Sequence, residues 1–469
     1  MLAGVLMTPY EYVKENYTLP VEDLYPFQID TVNEIGPLDK AGYYLDVGTG
    51  KTLTSIASAL YKLGNNHIQH VICLMPPILI TNWSRNLAMI PRVTHVCYRG
   101  PPTARKNLNL DVNFILMSYD IFKRDWDYLH ELFLNSTVAI LCDEAQAIKN
   151  ISTATHKRVR DFGLFNHLML LTGTPLSVPL DGYAYIKLVA PSIYRDMLQF
   201  EVVHIAKCDS FGKPKAYQNL ELLNENLKVN SVRVLKEDVL KDLPPVTYTE
   251  IVYDLQPKHK KLYDDLAINQ LKAFDDGTKL DLTNVTALFN GLEQLPANAE
   301  HFSNGELTST IYELIDELMD ELGGGKLVVF TKYKMTNRRM LLVCQKYGVR
   351  ALFGEVSQDQ QQVNIDTFVN DPSCRLLVLQ YQSGGSGIDH LQDVCSDVLF
   401  IELPPTAAHF TQAVARVHRA GQVRPVNVRI ALADKTIQLY RWQVVQDKDS
   451  LINLCLRGPK DLRDVVMGG

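Results

Sequence analysis

Gly48-Thr-Gly-Lys-Thr52 lies between a short apolar run, Gly42–Asp46, and an amphipathic stretch, Lys51–Leu63. Read as strand, turn and helix, the two glycines allow a tight bend that turns backbone N–H groups toward one point. Amides converging at a helix N-terminus surround phosphate oxygens. Gly48, Thr49 and Gly50 would form that cradle, Lys51 would reach the β- and γ-phosphates, and the Thr52 hydroxyl would bind Mg²⁺. Leu45 stands where the longer G-x-x-x-x-G-K-T pattern has its first glycine.

Working outward, the same rhythm continues. Apolar runs at His70–Pro76, Thr94–Tyr98, Asn113–Met117, Val138–Asp143 and His167–Thr172 read as strands. Between them Ile78–Ala88, Tyr119–Phe133 and Ala154–Phe162 read as helices, the pattern of a parallel sheet flanked by helices. The run Val138–Asp143 ends in Asp143-Glu-Ala-Gln146. A parallel strand delivers its C-terminal residues to the edge that carries the phosphate loop, so Asp143 is placed to hold Mg²⁺ and Glu144 to polarise the attacking water. Two adjacent carboxylates are more often a solvated strand end. Their position after a phosphate loop and an apolar strand shifts the balance toward catalysis.

The stretch 175–242 reads as helical and irregular, and Asp242-Leu-Pro-Pro245 marks a linker, because paired prolines cannot continue a helix. A helical region at 262–322 follows and is broken by Gly323-Gly-Gly325. Strands then resume at Lys326–Phe330, Val349–Phe353, Arg375–Leu379, Val398–Ile401 and Asn427–Ala431. Helices are expected at 333–346, 358–369, 407–419 and 437–454. The fold class is α/β, with two parallel-sheet lobes in tandem and helical insertions. Lobe 1 spans 1–243 with an insertion at about 176–235, and lobe 2 spans 244–469 with an acidic helical segment at about 256–322. On the helix expected at 407–419, Gln412, Arg416 and Arg419 share one face, and the two arginines can neutralise charge on a γ-phosphate. In isolation such a face is more often an ion-pair stripe.

Net charge is −6, but its distribution is uneven. From Val47 to Leu110 there are seven Lys or Arg and no acid, and Gly323–Arg350 repeats that count; Asp264–Gly324 holds thirteen acids against Lys272 and Lys279. Such asymmetry points to polyanion-facing surfaces set against a repelling segment, with ordinary scatter as the alternative. Eight cysteines without a C-x-x-C pair disfavour a disulfide or zinc scaffold and imply a reducing, cytoplasmic setting. No apolar stretch is long enough to span a bilayer, and no secretory signal is evident, so neither membrane attachment nor secretion is expected.

These motifs, in this order, resemble the superfamily 2 helicase motors of the Swi/Snf-type branch. Tyr25-Pro-Phe-Gln28 is similar to the adenine-reading Q motif, Gly48–Thr52 to motif I, and Asp143–Gln146 to motif II. Leu171-Thr-Gly-Thr-Pro-Leu176 resembles motif III, and Lys236–Pro245 the segment joining the lobes. Gln382–Asp389 and Gln412–Gln422 match motifs V and VI. The resemblance implies two RecA-like lobes, ATP and Mg²⁺ as cofactors, and DNA as partner. It implies that Gln28 bonds adenine with Tyr25 stacked nearby, that Gln146 senses the γ-phosphate, and that Thr172 and Thr174 couple the ATP site to the DNA track. Gly387 and Asp389 would approach the nucleotide. Pro76, Trp83, Ser118, Tyr119, Thr331, Lys332, Ser383 and Gly384 would face the strand, although Trp83 reads equally well as a packed helix residue. The compact form is similar to bacteriophage branch-migration helicases. It implies a host-cytoplasm or nucleoid setting and remodelling of branched DNA in recombination, repair or replication; the alternative is a duplex translocase that displaces bound proteins.

Overall fold

The structure is a computed structural model that describes residues 7–446 except 78, 164–165, 177, 209–211, 213, 276–289, 382–387, 389, 440 and 444. The described residues divide into two units between Lys241 and Asp242.

In the first unit, strands β1 (Lys40–Leu45), β2 (His70–Met75), β3 (His95–Cys97), β4 (Phe114–Ser118), β5 (Val138–Asp143) and β6 (His167–Leu171) join one sheet. Between β6 and the last strand of that sheet come β7 (Ile205–Cys208) and β8 (Pro214–Tyr217), a separate antiparallel ribbon, and then β9 (Ser231–Val234) closes the sheet at its edge. The order is β3-β4-β2-β5-β6-β1-β9, and every pairing is parallel. Strands covered on both faces need apolar side chains on both sides, which is why they read as unbroken apolar runs. The two-residue period sorts them: Ile72, Leu74, Ile140 and Cys142 enter one core, and Val71, Cys73, Ala139 and Leu141 the other.

The second unit repeats the plan with β10 (Val246–Tyr253), β11 (Leu327–Thr331), β12 (Arg350–Leu352), β13 (Leu376–Gln380), β14 (Asp397–Phe400) and β15 (Val426–Ala433). Its order is β10-β15-β14-β11-β13-β12, again parallel throughout. The helix Ile311–Glu321 carries the C-terminal part of the acidic segment, yet it buries Ile311, Tyr312, Ile315, Leu318 and Met319 against this sheet. Its acids occupy the outer face of a packed amphipathic helix.

Several expectations need correction. The helix expected over 119–133 is two, Tyr119–Arg124 and Trp126–Leu132. Asp125 at the break turns inward, where its carboxylate accepts from Arg105 Nη2 at 2.7 Å and Tyr98 Oη at 2.9 Å. The helix expected over 407–419 ends at Val414. Beyond it Arg416 and Val417 donate to carbonyls three residues back rather than four, so the turn tightens and stops. Gln412, Arg416 and Arg419 therefore do not share one helical face. The stretch 175–242 also holds the β7–β8 ribbon and β9. The strand β10, which follows Pro245 directly, was not anticipated. Of the helix expected over 437–454, residues 440, 444 and those from 447 on lie outside the described residues. Among the described residues no helix is long and apolar enough to cross a membrane.

Candidate functional site

Sheet order builds the site. Strands β5, β6 and β1 are neighbours, so the loops that leave their carboxyl ends meet at one edge. Those loops are Asp143–Gln146, Thr172–Thr174 and Asp46–Lys51.

In the phosphate loop, Gly48 (φ 87°) and Gly50 (φ 78°) take left-handed conformations that favour glycine. A Cβ on Gly50 would also sit 2.2 Å from Gln28 Nε2. Leu45 is fully buried as the last residue of β1. The strand thus extends through the position where a longer glycine loop would begin, and this explains the departure from the longer pattern. Asp46 fastens the loop: its carbonyl accepts from the Thr49 hydroxyl at 2.6 Å and from Lys51 Nζ at 3.3 Å. Gln28 Nε2 donates to the Thr49 carbonyl at 2.8 Å, while Gln28 Oε1 accepts from the Tyr25 N–H at 2.9 Å. The buried Gln28 side chain thus ties the Tyr25 turn to the loop. Tyr25 is half exposed and stacks on Phe27.

Glu144 adopts φ 54°, ψ 55°, a left-handed conformation uncommon for a residue that carries a Cβ. Non-glycine residues held there cluster at active sites. Its carboxylate accepts from Gln146 Nε2 at 2.6 Å; Gln146 Oε1 accepts from the Thr172 hydroxyl at 3.0 Å; and the Thr172 oxygen accepts from the Thr174 N–H at 3.1 Å. Four of the expected residues therefore form one chain of hydrogen bonds across two loops.

Asp143 is buried. Its Oδ2 accepts from Trp83 Nε1 at 2.8 Å and its Oδ1 from the Glu144 N–H at 2.9 Å. Burial, then the neighbouring Glu144 charge, raises the Asp143 carboxyl above its usual range, and the Trp83 bond and the Lys51 charge oppose this. Burial lowers the Lys51 ammonium, with Glu144, Asp143 and Asp46 opposing. A cation beside the carboxylates would relieve the first effect, and a polyphosphate beside Lys51 the second. Hard oxygen donors from Asp143 and Thr52 fit Mg²⁺, with phosphate oxygens and water completing its shell. Among the described residues no group of three or more His, Cys, Asp or Glu could hold a metal alone.

The residues expected to face DNA fare differently. Trp83 is fully buried with its N–H on Asp143, so its ring is not available to stack on a base. Thr331 is fully buried. Tyr119 is nearly so and donates from Oη to the Asp143 carbonyl at 2.8 Å; Ser118 Oγ caps its helix by accepting from the Ile121 N–H. Trp83, Tyr119 and Ser118 thus face inward in the first unit, where Trp83 and Tyr119 brace Asp143, and Thr331 faces inward in the second unit, where its hydroxyl accepts from Asn337 Nδ2 at 2.8 Å. Pro76 is half-buried, and Lys332 pairs with Glu293 in the second unit. Ser383, Gly384, Gly387 and Asp389 lie outside the described residues. In the second unit Arg416 is buried and Arg419 Nη1 donates to the Ile388 carbonyl at 3.2 Å.

The acid-free stretches also change meaning. Of the seven cations in 47–110, Arg105 forms a buried pair with Asp125, and Lys62 is fully buried with its ammonium on the Leu38 carbonyl at 2.6 Å. Those of 323–350 mostly find acids folded back from elsewhere: Lys334 and Arg338 on Glu355, Arg339 on Glu300, Lys346 on Asp316. The asymmetry is partly an internal pairing pattern.

Asp46 and Arg233 were missed in the sequence. Arg233 Nη2 donates to Asp46 Oδ1 at 2.7 Å. The two are far apart in the chain, and no short motif carries the pair.

A family model described as SNF2-related domain matches residues 45–303, and one described as Helicase conserved C-terminal domain matches 310–421. The chain is 26% identical to an uncharacterized ATP-dependent helicase of Mycoplasma pneumoniae, over 88% of this chain and 40% of that protein. It is also 26% identical to the Chromodomain-helicase-DNA-binding protein 1-like of Mus musculus, over 88% of this chain and 47% of that one. The chain thus spans less than half the length of these relatives. A solved Sulfolobus solfataricus SWI2/SNF2 ATPase core in complex with dsDNA matches at 23% identity with a TM-score of 0.45, covering 96% of this chain and 98% of that one.

Proposed function

This chain belongs to the SNF2-related family, and from that premise we propose that it is a DNA-dependent ATPase that uses ATP hydrolysis to move along DNA. The observation that carries this reading is the junction at the ends of β1, β5 and β6, where Lys51, Asp143, Glu144 and the Gln146–Thr172 relay meet. Lys51 and the loop amides hold the β- and γ-phosphates, and Tyr25 offers a face to adenine. Glu144 accepts a proton from water as the water oxygen attacks the γ-phosphorus and the bond to the bridging oxygen breaks. Mg²⁺, held by Thr52 and Asp143, supplies charge neutralisation on the phosphates. Arg416 and Arg419 of the second unit are assigned the same task at the transition state. Gln146, Thr172, Thr174 and Gln412 pass the nucleotide state to the DNA track.

The finer reading is remodelling of branched DNA by fork regression or junction migration, which rests on the resemblance to compact branch-migrating motors. A second reading is a duplex translocase that displaces bound proteins without separating strands. ATP turnover and DNA products on matched linear, forked and four-way-junction DNA separate them. Junction preference with migrated products supports the first. Equal stimulation by linear duplex, with no strand products, supports the second.

A further inference from the structure

We infer that Arg233 is a positioning residue for the nucleotide, because one guanidinium holds the phosphate loop through Asp46 and the Thr172–Thr174 loop through Gly173. The inference rests on the ATPase reading above. Asp46 is the pivot on the loop side. Its N–H donates to the Val234 carbonyl at 3.0 Å, its Oδ1 accepts from Arg233 Nη2 at 2.7 Å, and its Oδ2 accepts from the Lys236 N–H at 3.0 Å. Its own carbonyl accepts from the Thr49 hydroxyl and the Lys51 ammonium. The residue that aims Lys51 is therefore itself aimed by β9 and the turn that follows it.

Arg233 completes the link. It pairs with Tyr44 in the β1–β9 register, and its Nη1 donates to the Tyr44 carbonyl at 2.8 Å and to the Gly173 carbonyl at 3.2 Å. Gly173 lies so close to the phosphate loop that a Cβ there would stand 2.8 Å from Val47 Cγ2 and 3.1 Å from Lys51 Nζ. Nη1 serves the Tyr44 and Gly173 carbonyls while Nη2 serves Asp46, a division between two fixed nitrogens that the single nitrogen of an ammonium does not reproduce. The arrangement leaves Arg233 Nε buried without a partner, a cost that an apolar residue of similar size would avoid. That cost is understandable if the residue's task is to set two loops against each other. The chain then runs through the Lys236–Val239 turn to Pro245, so the loop that receives phosphate is tied to the segment leaving the first unit.

The test uses the full chain as wild type, Arg233→Lys, Arg233→Ala and Asp46→Asn. It measures affinity for a fluorescent ATP analogue without DNA, KM and kcat for ATP with duplex DNA, and thermal melting by circular dichroism. Arg233→Lys and Asp46→Asn are expected to weaken analogue binding and raise KM about tenfold each, with folding retained. Asp46→Asn should change KM more than kcat, whereas Arg233→Ala, which also frees Gly173, should lower DNA-stimulated kcat as well. If Arg233→Ala fails to fold, the near-isosteric Asp46→Asn decides. Analogue affinity within about twofold of wild type in Arg233→Lys and Asp46→Asn would overturn the inference. Absence of turnover in wild type would instead sink the ATPase reading, because the binding measurement stands without it.

Discussion

Trp83 Nε1 donates to Asp143 Oδ2 at 2.8 Å from a fully buried indole, so this tryptophan supports the Asp143 carboxylate and is no platform for a base. Trp83→Phe keeps most of the packing and removes the donor. Leaving a buried carboxylate oxygen short of a partner costs about 1–3 kcal/mol. Expected outcomes are a lowered melting temperature, a kcat reduced about tenfold, and unchanged affinity for DNA in the absence of nucleotide. Loss of DNA affinity with full ATP turnover would restore the stacking role.

The Glu144–Gln146–Thr172 chain predicts a coupling defect. Thr172→Val removes the hydroxyl that donates to Gln146 Oε1 and accepts from the Thr174 N–H. DNA-stimulated turnover should fall about tenfold, and the stimulation ratio should fall with it. ATPase rates with and without duplex DNA check this; an unchanged ratio would remove Thr172 from the relay.

Much of the fold is legible because parallel strands buried on both faces must be apolar. Val138–Asp143 has the expected bounds, and β2, β4, β6 and β11 begin or end within one residue of expectation. Strands at the sheet edges lack that constraint. Ser231–Val234 is four residues long and only partly buried, and Val246–Tyr253 is largely exposed with a polar alternation, so neither announces itself. The site divides along the same line. The phosphate loop and Asp143-Glu144 are legible because each needs consecutive residues at one strand end. Arg233 on Asp46 and Trp83 on Asp143 are contacts made by the sheet's strand order, and no local pattern encodes them. The inward-facing Trp83 and Ser118 show the converse, where a motif position was legible but the direction of its side chain was not.

Asp125 and Arg105 form a buried ion pair in the first unit, bidentate at 2.9 and 2.7 Å, with Tyr98 Oη on the same carboxylate. Removing one partner strands the other charge out of water, at about 3–5 kcal/mol. Asp125→Ala should shift the first unit's unfolding transition to markedly lower urea. A neutral result would mean that water reaches Arg105.

Glu402 in the second unit accepts from the Lys332 N–H at 2.6 Å, the Tyr333 N–H at 2.9 Å and the Thr336 hydroxyl at 2.6 Å. Burial pushes its carboxyl up to about 7, with the Thr336, Tyr333 and Lys332 contacts opposing. A folded-state value above the unfolded one means that the folded protein binds the extra proton. This contribution is fully present below the ordinary carboxylate range and is lost as pH rises to about 7. Glu402→Gln should therefore flatten the decline in stability between those limits, a difference on the order of 3 kcal/mol at most. Parallel wild-type and variant stability curves against pH would contradict the assignment.

The central claim is that the loops after β1, β5 and β6 form one ATP-hydrolysing centre. Steady-state ATP turnover with duplex DNA, measured for wild type, Lys51→Ala and Glu144→Gln, tests it most directly. DNA should stimulate the wild type, and both variants should lose turnover by at least about a hundredfold while still binding DNA. Full turnover in either purified variant would contradict the account.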